Sequence, residues 1–101
     1  FLGFATSGPG TPDVRDLEAV RRHVRRAADR WPRLVVTMHI GSEGVAAQRT
    51  RDTTEYLAGG SRGNPVAFAR AVVESGADLV IGHGPHVLRA GEWRGDVPVF
   101  Y

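Results

Sequence analysis

Cysteine is absent from this 101-residue chain, and so is lysine. Without thiols there is no disulfide framework, no thiolate metal site and no cysteine nucleophile, and the compartment stays open. The 13 basic side chains are all arginines set against 11 acids, so the net charge is only +2. The pI near 9.9 reflects that small excess being all arginine. No apolar stretch approaches the ~20 residues that a membrane span needs, and there is no signal-peptide pattern. No serine sits in a Gly-x-Ser-x-Gly elbow, and there is no Gly-x-x-x-x-Gly-Lys loop, which leaves dinucleotide and nucleoside-triphosphate readings with little support. Internal repeats and low-complexity segments are missing as well.

At 42% hydrophobic, the chain has the make-up of one globular domain or a piece of one. Phe1-Leu2-Gly3-Phe4-Ala5 reads as a strand entered midway, and Val97-Pro98-Val99-Phe100-Tyr101 as a strand with nothing after it. The expectation is a domain cut at both ends. Seven arginines lie between Arg15 and Arg33, interleaved with Asp16, Glu18 and Asp29. A solvated helix face laced with ion pairs accounts for them better than a nucleic-acid surface does.

Residues 1–5 read as a short buried strand. Thr11 is placed as an N-cap with Pro12 at the first helical position, opening a helix over 13–31. Leu17, Val20, Val24, Ala27, Ala28 and Trp31 form its apolar stripe, and Pro32 stops it. His23 falls among the arginines as a surface histidine. Residues 34–40 are a strand, and 41–63 show no sustained period and read as a loop, a length uncommon unless functional or mobile. Asn64-Pro65 opens a second helix with Phe68, Ala69, Val72 and Val73 on its buried face, and Gly76 fits the left-handed position past its end. Strands follow at 79–81, 86–93 and 96–101, the last two joined through Arg94-Gly95. The order β-α-β-loop-α-β-β-β implies right-handed crossovers and a largely parallel α/β sheet.

Two apolar runs break off at histidines. One ends Met38-His39-Ile40-Gly41-Ser42-Glu43, the other Ile81-Gly82-His83-Gly84-Pro85-His86. Ligand sites of open α/β sheets lie at the carboxyl edge of the strands, and the topology puts both runs there. His83 and His86 on one tight turn reach a single metal with little ordering cost, or are polar residues of an ordinary loop. His39 with Glu43 suits a metal ligand and its supporting carboxylate, a general base and its orienter, or a hydrogen-bonded structural pair. Arg89 either binds a substrate anion or pairs with Glu92 or solvent. Arg62 precedes a helix N-terminus, where an anion can bind, although a plain helix cap is the simpler reading. Asp78 is placed at the helix-to-strand corner, holding that turn through backbone amides.

The segment from Gly76 to Arg89, with Glu92, Gly95 and Val99-Phe100-Tyr101, resembles the C-terminal half of CapA-type capsule or poly-γ-glutamate synthesis proteins. These form a branch of the calcineurin-like metallophosphoesterases. His39-Ile40-Gly41-Ser42-Glu43 looks like the family's His-x-Gly-x-Glu motif, and Asn64-Pro65 through Ala71 like the helix leading into Gly-Ala-Asp. The resemblance runs from Leu34 onward and is weak over the first helix. It implies a layered α/β/β/α metallophosphoesterase-like sandwich whose C-terminal part these residues form. It also implies a site of two divalent ions (Mn, Fe or Zn) that activates water for attack at phosphorus. His39, His83 and His86 match the metal-site histidines, His39 and Glu43 are the catalytic candidates, and Arg62 and Arg89 the substrate-binding ones.

Departures limit that transfer. Ile40 and Gly44 stand where the family often has aromatics, and His83 and His86 are three apart, as in CapA-type sequences, where other related metallophosphoesterases commonly space the last two histidines by two. The N-terminal motifs supplying Asp, Asn and another His are missing; Asp13, Asp16 and Asp29 read as surface charge. The 101 residues are therefore expected to be inactive alone. The alternative is a non-catalytic component that binds an anionic polymer or assembles with membrane-associated capsule partners at the cell envelope, a location that only the resemblance suggests. A nucleic-acid module is the weakest reading.

Overall fold

The computed structural model describes residues 1–6 and 8–101. Strand β1 (Leu2–Ala5), helix α1 (Leu17–Arg30), β2 (Val35–His39), a short hairpin of β3 (Tyr56–Leu57) and β4 (Gly60–Ser61), α2 (Pro65–Glu74), β5 (Leu79–His83), β6 (Gly91–Arg94) and β7 (Val97–Phe100) follow one another. The main sheet runs β1-β2-β5-β7-β6, parallel except for the antiparallel edge strand β6. The mixed α/β class and largely parallel sheet are as the sequence implies.

Register makes the two faces of the sheet unequal. Leu2, Val36, Val80 and Val99 lie side by side across four strands, and Phe4 lies beside Met38. These rows pack with Val20 and Val24 of α1 and Phe68, Ala69 and Val72 of α2 in one core. Both helices cover that face and touch each other, with Arg21 of α1 bonded to Glu74 of α2 at 2.7 Å. The alternate row, Gly3, Thr37, Ile81 and Phe100, faces the other way, because side chains alternate along a strand. Ile81 is 36% and Phe100 55% exposed. The described residues thus form two layers with one open sheet face.

Several boundaries move. Helix α1 starts four residues later than the periodicity suggests. Asp16, rather than Thr11, caps it by accepting from the Ala19 N–H. The preceding residues are drawn into the sheet, where the Val14 N–H donates to the Ala5 carbonyl and Val14 is buried. Trp31 leaves the apolar stripe: it is the extended C-cap residue, 58% exposed, with Arg30 over its ring. The stretch 41–63 is not structureless, since it holds a 3-10 turn (Val45–Ala47) and the β3–β4 hairpin. The strand expected at 86–93 is confined to Gly91–Arg94, where pairing with β7 begins at Gly91–Phe100. By contrast, Asn64 caps α2 through the Ala67 N–H with Pro65 at its start, and Gly76 follows its end at φ 111°. Asp78 accepts from the Leu34 N–H at 2.7 Å, so it ties the corner to the residue before β2 instead of bonding amides of its own turn.

Candidate functional site

His39 and His83 end adjacent parallel strands and are register partners, on the open face of the sheet. Neighbouring strands lie about 4.8 Å apart, so side chains of one row meet. The two rings stand edge to face with centroids 5.1 Å apart, and Nδ1 of His39 is 3.1 Å from Nδ1 of His83. A hydrogen bond between two such nitrogens needs one to donate and the other to accept, so this contact holds a single proton. Burial lowers the pKa of His39, and the nearby His83 and Arg62 lower it further against the opposing charge of Glu43. The His39 imidazole is therefore biased toward its neutral, ligating form.

Both histidines line a cleft of about 480 Å³ with Gly3, Ala5, Thr37 and Arg62. The backbone of Arg62 is tied to its surroundings: its N–H donates to the Glu55 carbonyl, and its own carbonyl accepts from the Gly41 N–H. Its side chain is 20% exposed, and Nη2 lies 3.7 Å from Oε1 of Glu43. The other oxygen of Glu43 is 3.4 Å from Nδ1 of His86. Glu43 is thus shared between Arg62 and His86, one step removed from the histidine pair. His86 sits at φ 56°, a backbone region rare for non-glycine residues, with its side chain 70% exposed.

The sequence groups His39, His83 and His86 as one ligand set; the fold brings the first two together and turns the third toward Glu43. Among the described residues, no three His, Asp or Glu side chains gather closely enough to hold an ion. The two that do meet have suitable spacing. Imidazole nitrogens at about 2.0–2.1 Å from one ion stand roughly 3.3 Å apart at the tetrahedral angle.

Arg89 points elsewhere. Its side chain is 1% exposed and its two terminal nitrogens contact Glu55 at 2.7 and 3.0 Å, not Glu92 or solvent. Glu55 also accepts from the backbone N–H and the hydroxyl of Ser42. This pair clamps the 41–63 excursion onto the turn after β5. Sequence reasoning missed Glu55 because nothing local marks it; its partners lie 13 and 34 residues away. Glu92 instead accepts from the Tyr101 hydroxyl at 2.6 Å, and the Tyr101 pKa is pushed up to about 12, by burial first and then by that carboxylate.

Comparison with known proteins matches residues 4–101 to the family described as bacterial capsule synthesis protein PGA_cap. The chain belongs to that family. Two uncharacterized proteins of Sinorhizobium fredii (strain NBRC 101917 / NGR234), y4sH and y4uA, are each 32% identical to it over 89 residues. Those matches cover 88% of this chain and 17% of each relative, so the chain spans about a sixth of their length. The PGA_cap match takes in both the His39–Glu43 and the His83–His86 segments.

Proposed function

We propose that this PGA_cap chain contributes part of a metal-dependent phosphoester hydrolase site, with His39 and His83 as ligands of a divalent ion. The observation that carries this reading is the 3.1 Å approach of their Nδ1 atoms at the carboxyl edge of the parallel sheet. A divalent ion there would supply Lewis acidity toward a phosphoryl oxygen and acidify water. Within the chain itself, burial biases His39 toward its neutral, ligating form, Glu43 orients the exposed His86, and Arg89–Glu55 fixes the loop that carries Arg62. Two imidazoles leave the remaining ligands to residues outside this segment. The open sheet face, with Ile81 and Phe100 exposed, suits the second sheet of an α/β/β/α sandwich delivering them. By this reading the 101 residues alone do not turn over substrate.

Elemental analysis of the full-length protein, wild type beside His83→Ala, tests the proposal. About two equivalents of Mn, Fe or Zn, falling in the variant, is the expected result. A folded wild type that takes up neither Mn nor Zn in excess overturns it. A second reading, binding of an anionic envelope polymer without hydrolysis, draws on exposed Arg22, Arg25, Arg26 and Arg30 of α1. Salt-sensitive polymer binding that survives loss of both histidines would favour that reading.

A further inference from the structure

Four arginines elsewhere in the fold spend their charge on hydrogen-bonded carboxylates: Arg15 on Asp13, Arg21 on Glu74, Arg70 on Asp52 and Arg89 on Glu55. Arg62 does not. Its Nε and Nη2 are buried and have no hydrogen-bond partner among the described residues. The nearest acid, Glu43, stands at 3.7 Å, beyond hydrogen-bond reach, and is shared with His86. The side chain as a whole is 20% exposed and its charge is met only by this long contact, which leaves room for a better anionic partner. The same side chain lines the cleft that holds His39 and His83, with the hydroxyl-bearing Thr6, Thr11 and Thr37 around it.

We infer that Arg62 is the oxyanion receptor of this cleft, selecting ligands that present a phosphoryl or carboxylate group beside the histidine pair. The assignment rests on the reading of the cleft as the working site and adds its specificity element. A planar guanidinium offers paired N–H donors matched to two oxygens of one oxyanion, and a charge-assisted pair of that kind is stronger than a neutral one. An anion bound there would meet the part of the Arg62 side chain that opens on the cleft and would sit against the two imidazoles. The residue comes from the β3–β4 hairpin, so this excursion provides the recognition while the sheet edge provides the histidines.

The test uses the full-length protein, stripped of metal with chelator, and calorimetric titration with inorganic phosphate. Wild type is expected to bind phosphate, and Arg62→Gln to bind it at least roughly tenfold more weakly. Arg62→Lys keeps the charge without the fork, so its affinity should fall between the two and its fold guards against a global effect of the Gln variant. Parallel titration with acetate separates the sources: phosphate binding tighter than acetate assigns a phosphoryl group, and the reverse a carboxylate. Equal phosphate affinity in wild type and Arg62→Gln, or no binding of either anion at millimolar levels by wild type, overturns the inference. Metal content read on the same proteins keeps the two proposals apart. Arg62-dependent phosphate binding in a protein that takes up no metal would end the hydrolase reading alone. Metal uptake with Arg62-independent phosphate binding would end only this one.

Discussion

Gly84 shows how a single missing side chain serves the histidine pair. At φ 120°, an added Cβ would lie 3.2 Å from Cδ2 and 3.3 Å from Nε2 of His39, and 3.3 Å from the backbone N of Ile40. The His39 ring therefore rests against bare backbone, which fixes its side of the 3.1 Å contact. Gly84→Ala should cost about 1–3 kcal/mol through backbone strain and push the His39 ring from its place. Denaturant unfolding would report the stability loss and metal titration a weakened affinity. An unchanged affinity would mean that the ring tolerates the displacement. The glycines and histidines of this turn are legible in sequence as a tight, ligand-bearing element. The pairing of His39 with His83 rather than with His86 is not, because it depends on register between strands 44 residues apart.

The β3–β4 hairpin is the element that the sequence concealed. Its turn places Ala58 at φ 49° and Gly59 at φ 79°, both left-handed, as two-residue hairpin turns require. An alanine there is strained, and Ala58→Asn should stabilise the protein by roughly 0.5–1 kcal/mol, seen as a higher unfolding midpoint. The strands are only two residues each, too short for an alternating pattern to reveal them. What holds the element is the buried Arg89–Glu55 pair. Burial pushes the Glu55 carboxyl up, but hydrogen bonds from Arg89 and Ser42 and the Arg89 charge outweigh it and leave the pKa below its ordinary 4.5. The unfolded chain then binds the proton more readily than the folded one. The pair's stabilisation is full above pH 4.5 and is lost as pH falls through the lower folded value. Glu55→Gln should flatten that acid limb of the stability–pH profile. It should also cost roughly 3 kcal/mol at neutral pH by stranding a buried guanidinium. A profile unchanged in the variant would show that another carboxylate governs the limb.

For the molecule as a whole, the deciding feature is a sheet with helices on one face only. Both crossovers step the same way across β1-β2-β5, and right-handedness then puts α1 and α2 on one side. Phe100→Glu on the open face should change the stability of the 101-residue chain by less than about 1 kcal/mol, since more than half of that side chain already meets water. In the full-length protein, a second sheet over this face would raise the cost to several kcal/mol. Thermal unfolding of both proteins distinguishes a covered face from an open one, and equal small shifts would argue against the four-layer sandwich.

The pieces that depend on near neighbours could be read along the chain. These include the apolar runs of β2 and β5, the Asn64-Pro65 start of α2, the Gly76 stop, the parallel α/β class and the histidines at the strand ends. Each is a matter of local sterics, capping or periodicity within a few residues. Which charged groups work together emerged only in the folded chain. Arg89, open along the chain to a substrate anion, Glu92 or solvent, is consumed by Glu55, while Arg62, which read as part of a helix cap, lines the histidine cleft with only a 3.7 Å contact to Glu43. Those outcomes turn on contacts between distant residues, where burial strips water from a charge and leaves whichever partner the fold brings within reach.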